Sequence, residues 1–212
     1  MKIAVVAANG KAGRLIVSEA VRRGHDVTAV VRGENETEAR HALVKDILAL
    51  EAGDLAGFDA VVDAFGAWMP ETLSQHTETS QHLADLLSGT DARLIVVGGA
   101  GSLYVNPEHT LQLVDTPEFP AEFVPLASAQ RDELEALRKR DDVRWTFVSP
   151  AADFQPDGAR TGSYALGGEE LILNAAGKSE VSYADYAIAI IDEAERDGAD
   201  AHVRERIAVV SK

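Results

Sequence analysis

The chain has 212 residues, no cysteine and a formal charge of −15. That length suits a single α/β domain, and the missing thiols exclude disulfides, thiolate catalysis and zinc–sulfur sites. The negative charge repels nucleic acid and anionic membranes, and no apolar run approaches the roughly 18 residues of a membrane span. The chain enters a strand-like run at Lys2 with no leader pattern, so a cytoplasmic monomer or homodimer acting on a small molecule is expected.

The charge is unevenly spread. Residues 1–45 hold eight Lys/Arg against five Asp/Glu, whereas residues 46–212 hold twelve against thirty. An anion site therefore belongs in the first third.

In chain order, Ile3-Ala4-Val5-Val6 is a first strand. The turn Ala7-Ala8-Asn9-Gly10-Lys11-Ala12-Gly13-Arg14 follows and opens a helix over residues 15–23. Strand, glycine turn and helix N-terminus in that order can hold a pyrophosphate on backbone N–H groups. The spacing is Ala7-x-x-Gly10-x-x-Gly13, with alanine at the place of the usual first glycine. The second strand, Val27-Thr28-Ala29-Val30-Val31, ends in Arg32, about 20 residues beyond the turn. An acidic residue there accepts from a ribose 2′-OH and an arginine accommodates a 2′-phosphate, so NADP(H) is favoured over NAD(H).

Residues 33–38 are polar, a short helix is predicted to about residue 42, and residues 43–47 read as a third strand and its exit. Residues 58–66 give a fourth strand. Residues 70–88 form a helix with Leu73, Thr77, Ser80, Leu83, Ala84 and Leu87 as its buried stripe. A fifth strand over residues 93–97 runs into Gly98-Gly99, and a long proline-punctuated loop spans residues 100–125. A helix from about 127 to 139 leads to the sixth strand, residues 145–150. Shorter strands at 163–166 and 171–174, a helix over 183–195 and a last strand near 207–210 complete the chain. This alternation predicts a Rossmann-type doubly wound parallel sheet, order 3-2-1-4-5-6 plus a short C-terminal strand. Residues 1–212 form one domain, with 151–180 and 203–210 as a small substrate-side lobe.

The chain resembles the atypical short-chain dehydrogenases/reductases with an NmrA-like or biliverdin/flavin-reductase-like NAD(P)-binding domain, a group in which many members carry the label NADH-flavin reductase. The resemblance rests on residues 2–6 with Ala8-Asn9-Gly10-Lys11-Ala12-Gly13, then Arg23-Gly24-His25-Asp26 before the second strand and its Arg32. It continues through Lys45-Asp46-Ile47, Val96-Val97-Gly98-Gly99-Ala100-Gly101-Ser102-Leu103 and Trp145 to Ala151. Arg160-Thr161-Gly162-Ser163-Tyr164 and Ser182-Tyr183-Ala184-Asp185-Tyr186-Ala187 complete it.

The resemblance implies that Ala8, Asn9, Gly10, Lys11, Ala12, Gly13 and Arg14 bind the pyrophosphate and Arg32 the 2′-phosphate. Asp46 and Ile47 would flank the adenine, Ala64, Phe65 and Gly66 the ribose, with Gly98, Pro150 and Ala151 toward the nicotinamide. Ser102 stands where the wider superfamily carries its catalytic serine. Trp68, Met69, Tyr104, Asp153 and Phe154 are the candidate substrate pocket. The superfamily's Tyr-x-x-x-Lys pair is absent: no tyrosine has a lysine four residues on, and the helix that should carry the pair starts Val124-Pro125-Leu126-Ala127-Ser128-Ala129-Gln130. Ketone chemistry loses about 10²–10⁴-fold without that acid. Hydride transfer to an electron-poor ring asks mainly for orientation.

The expected activity is therefore an NADP(H)-dependent oxidoreductase passing hydride to a flavin or quinone-like acceptor, with FMN or FAD as substrate rather than prosthetic group. A non-catalytic NmrA-like redox sensor is the alternative, and an epimerase ranks third. No metal is expected: His76 and His82 lie six apart, on different faces of their predicted helix.

Overall fold

A computed structural model describes all 212 residues. Strand β1 (Lys2–Val6) is apolar and unbroken because helices cover both of its faces; Ile3, Ala4, Val5 and Val6 are wholly buried. Ile3 and Val5 face one layer with Ile16, Val17, Tyr186 and Ile190. Ala4 and Val6 face the other, with Leu83, Leu87, Leu134 and Leu137. The period-two alternation of a strand thus feeds two separate cores.

The first layer is α1 (Lys11–Arg22) packed on α4 (Tyr183–Glu195); the second is α2 (Gln75–Leu87) packed on α3 (Val124–Leu137). Between them lie β2 (Asp26–Val31), β3 (His41–Val44), β4 (Ala60–Asp63), β5 (Arg93–Val97), β6 (Arg144–Ser149), β8 (Tyr164–Gly167) and β10 (Glu205–Ser211) together with β1. The order is β3-β2-β1-β4-β5-β6-β10-β8, parallel throughout except for β8 against β10. A separate parallel pair joins β7 (Asp153–Gln155) to β9 (Glu180–Ser182). The first six strands have the predicted Rossmann order.

Several elements differ from the sequence expectation. No helix forms between β2 and β3, and His41 and Ala42 belong to β3 itself. Asn35 Oδ1 accepts from the Thr37 N–H and hydroxyl, Thr37 Oγ1 accepts from Ala39 N–H, and Asn9 holds Glu34 and Glu36. Such side-chain bonds to backbone compete with the helical ladder. The third strand ends at Val44, and Asp46 instead caps a 3₁₀ turn, Ile47–Ala49, accepting from Leu48 N–H at 3.0 Å. The 70–88 helix splits into a 3₁₀ turn, Pro70–Thr72, and α2, whose buried stripe contains His76 and Thr79 in place of Leu73 and Thr77. Residues 171–174 form no strand, and β10 runs inside the main sheet beside β6 instead of in a lobe.

Candidate functional site

β1 pairs with β2 on one side and β4 on the other, so the chain reverses its direction of winding there. Ligands of such sheets bind outside the carboxyl ends of the strands at that crevice. A cleft of about 1320 Å³ opens at this place. It is lined from the turn after β1 across to Pro150–Phe154 after β6.

The turn is built by close approach. A Cβ at Gly13 would lie 2.7 Å from the Ala7 carbonyl oxygen and 2.8 Å from that of Ala8, so only glycine lets α1 sit on this backbone. Ala7, in place of the usual glycine, takes a left-handed φ of 55°. Gly10 precedes α1 and no side chain caps the helix, leaving its first N–H groups without intrahelical partners where Gly10, Lys11 and Ala12 border the cleft. A bare cradle of this kind fits a dinucleotide pyrophosphate.

The predicted cofactor residues divide. Asn9, Gly10, Lys11, Ala12, Arg32, Asp46, Ile47, Ala64, Phe65, Gly66, Gly98, Pro150 and Ala151 all border the cleft. Lys11 and Arg32 are exposed and make no ion pair, so both cations stand free at its mouth. Ala8 and Gly13 are buried behind the turn. Arg14 lies outside the cleft: its Nε donates to the Asn9 carbonyl at 2.8 Å and its guanidinium pairs with Glu36.

Of the pocket candidates, Trp68, Asp153 and Phe154 line the cleft while Met69 and Tyr104 do not. Met69 opens the 3₁₀ turn after the cleft wall, and Tyr104 stacks on His109 with ring centroids 4.6 Å apart. Ser102 also lies elsewhere. Only 3 % exposed, its Oγ accepts from Arg206 Nη1 at 3.0 Å, and a Cβ at the preceding Gly101 would lie 2.6 Å from the Ala127 Cβ.

Other lining residues escaped the sequence reading: Lys45, His76, Phe119, Phe123, Leu126, Gln130 and Tyr183. The i,i+4 spacing of Leu126 and Gln130 on α3 was the one available signal, since both occupy one helix face. Tyr183 stacks on Phe154 at 3.8 Å, and Lys45 is held by Asp54 at 2.6 Å. The floor at Gly98 and Gly99 is flat by necessity. A Cβ at Gly98 would meet the Phe147 ring at 2.1 Å, and one at Gly99 would meet Gln130 Oε1 at 2.1 Å.

At the wall where His76 lines the cleft, three ionisable side chains converge. Asp63 Oδ1 accepts from Phe65 N–H at 3.0 Å, and its Oδ2 has no partner. Burial pushes its carboxyl up to about 6. Burial, followed by the nearby Asp63 charge, holds Glu133 well above the usual carboxylate range. His76 is pushed down from its ordinary value by burial.

A sequence profile for an NAD(P)H-binding family matches residues 7–197. The chain belongs to that family. It is 48 % identical over 215 residues to the uncharacterized YwnB protein of Bacillus subtilis, covering 100 % of this chain and 99 % of that one. A candidate NADH-flavin reductase of Streptococcus pneumoniae is 53 % identical, with a TM-score of 0.96 and both chains covered in full. A Bacteroides thetaiotaomicron structure named as a candidate epimerase is 36 % identical at a TM-score of 0.84, covering 99 % of this chain and 96 % of that one. The fold is thus that of NAD(P)H-binding oxidoreductases, and the resemblance read from the sequence is confirmed.

Proposed function

We propose that the protein is an NADP(H)-dependent reductase that passes hydride to a diffusible flavin or quinone-like acceptor. The observation that carries this reading is the continuity of one cleft: the glycine turn with free Lys11 and Arg32 merges into a broad aromatic wall of Trp68, Phe119 and Phe123. The first part suits a phosphorylated dinucleotide, the second a flat conjugated ring.

Bound NADPH supplies the hydride. The chain's own residues then bind and orient. N–H groups at Lys11 and Ala12, beside the bare Gly10 backbone, hold the pyrophosphate, and Arg32 with Lys11 takes the 2′-phosphate. Asp46 accepts from the adenine amine, with Ile47 against its face. Ala64, Phe65 and Gly66 line the ribose, while Gly98, Pro150 and Ala151 border the nicotinamide. Trp68, Asp153 and Phe154 edge the acceptor. Leu126 and Gln130 leave that part of α3 uncharged, which suits an electron-poor ring better than an alcohol.

Stopped-flow mixing of NADPH-loaded protein with FMN, FAD or a quinone tests the reading. NADPH oxidation faster than the protein-free rate is expected. No acceleration with any of them, together with equal affinity for NADP⁺ and NADPH, would instead favour a redox sensor.

A further inference from the structure

His76 is buried among polar groups that the binding scheme above leaves idle. It sits in the first turn of α2, 2 % exposed, among the residues that line the cleft. Its Nε2 lies 3.3 Å from Ala67 N–H and 3.2 Å from the Ala67 carbonyl oxygen. One backbone residue thus offers the same ring nitrogen a donor and an acceptor. If Nε2 carries the proton it donates to the carbonyl; if Nδ1 carries it, Nε2 accepts from the N–H. Both neutral tautomers are served without moving the backbone.

On the other side of the ring, Nδ1 lies 3.8 Å from Glu133 Oε2, a distance closed by a small rotation of either side chain. That oxygen has no hydrogen-bond partner, nor does Oδ2 of the neighbouring Asp63. The Ser80 hydroxyl gives the Glu133 carboxyl some support, but the two unpartnered oxygens remain costly as carboxylates and are relieved by sharing a proton. No lysine or arginine pairs with either acid. The titratable groups acting on the trio are its own members and Tyr186 of α4, whose phenol feels Glu133. Phe65 closes one edge of the imidazole at 5.5 Å.

We propose that His76 donates the proton to the acceptor reduced in the cleft, and that Glu133, backed by Asp63, positions and reloads its ring. The proposal rests on the reductase reading. Addition of hydride alone leaves the acceptor one proton short. The His76 Nε2–H swings off the Ala67 carbonyl, its N–H bond breaks, and an N–H or O–H bond forms on the acceptor through one water. Glu133 O–H then breaks as Nδ1–H forms, leaving the neutral ring in its other tautomer. Solvent in the cleft returns a proton to Nε2, and Nδ1 hands its own back to Glu133. Each two-electron reduction consumes one proton from the buffer. The burial that raises both carboxyls and lowers the imidazole keeps the proton on the acid pair and the ring neutral at rest.

Nitrogen NMR of ring-labelled protein, free of cofactor, reads the relay without turnover. In the wild type the His76 tautomer shifts from Nε2–H toward Nδ1–H as pH rises and Glu133 loses its proton, with no charged ring in between. In Glu133→Gln the tautomer ratio no longer depends on pH. A wild-type ratio that stays constant across the pH range, or a ring that titrates through an ordinary charged form, overturns the proposal. In stopped flow, His76→Gln lowers acceptor reduction by about 10²-fold and removes its solvent isotope effect, while NADPH affinity is retained. Equal rates and isotope effects in His76→Gln and wild type overturn the relay alone. A wild type that reduces no acceptor overturns the reductase reading, and the donor role with it.

Discussion

Ala7 shows how far this turn departs from the usual pattern while keeping its shape. Its φ of 55° is a glycine-like conformation that costs an L-residue roughly 1 kcal/mol or more. The chain accepts that cost at the first position but not at Gly13, where carbonyl oxygens leave no room for a Cβ. The same residue scale decides cofactor choice. Arg32 is exposed at the end of β2 and borders the cleft without a carboxylate partner. A guanidinium with no internal partner is available for a phosphate. Arg32→Asp is expected to weaken NADPH binding by about 1.5–3 kcal/mol, the worth of one charge-assisted contact, and NADH binding far less. Titration of both cofactors by calorimetry checks this; equal losses would place the 2′-phosphate on Lys11 or elsewhere.

At the scale of elements, the sequence was clearest where one element decides its own surroundings. β1 and β2 read as continuous apolar runs because helices cover both faces, and α4 starts at Ser182 because its hydroxyl accepts from Asp185 N–H at 3.0 Å. It was unclear wherever distant elements meet. The short helix expected to end near residue 42 gives way to β3, because the polar stretch before it is fixed by bonds to Asn9, 25 and 27 positions away. His76, Glu133 and Asp63 come from α2, α3 and β4, and no spacing rule relates them. Ser102 is the sharpest case. Its partner Arg206 is 104 residues distant, on β10, and also donates to the Glu169 carbonyl at 2.8 Å. Ser102 therefore fastens the segment after β5 to β10. Ser102→Ala should cost about 1.5–3 kcal/mol in stability, the worth of one buried hydrogen bond to a charged donor, and leave acceptor reduction unchanged. Urea unfolding together with steady-state kinetics checks both halves; a selective fall in kcat would restore the serine to the chemistry.

Across the whole molecule, a net charge of −15 opposes the approach of a polyanionic cofactor, yet the free Lys11 and Arg32 stand at the cleft. The buried carboxyls set a second global property, the dependence of stability on pH. Asp63 titrates near 3.8 when unfolded and about 6 when folded, so the native state binds the extra proton between those values. Stability from this group is fully present below about pH 4 and is lost as pH rises through about 6. His76 acts in the opposite sense, its lowered value removing stability as pH falls below its ordinary range. Asp63→Asn retains an oxygen to accept from Phe65 N–H and cannot ionise. Variant and wild type should therefore be nearly equal at about pH 4, and the variant more stable above about pH 7 by roughly 3 kcal/mol, from a shift of about two pH units. Part of the gap comes through Glu133, whose carboxyl the Asp63 charge also holds up. Urea unfolding across the pH range measures the gap directly. A gap that does not widen with pH would mean that Asp63 carries no raised carboxyl, and the acid pair beside His76 would lose the member that backs Glu133.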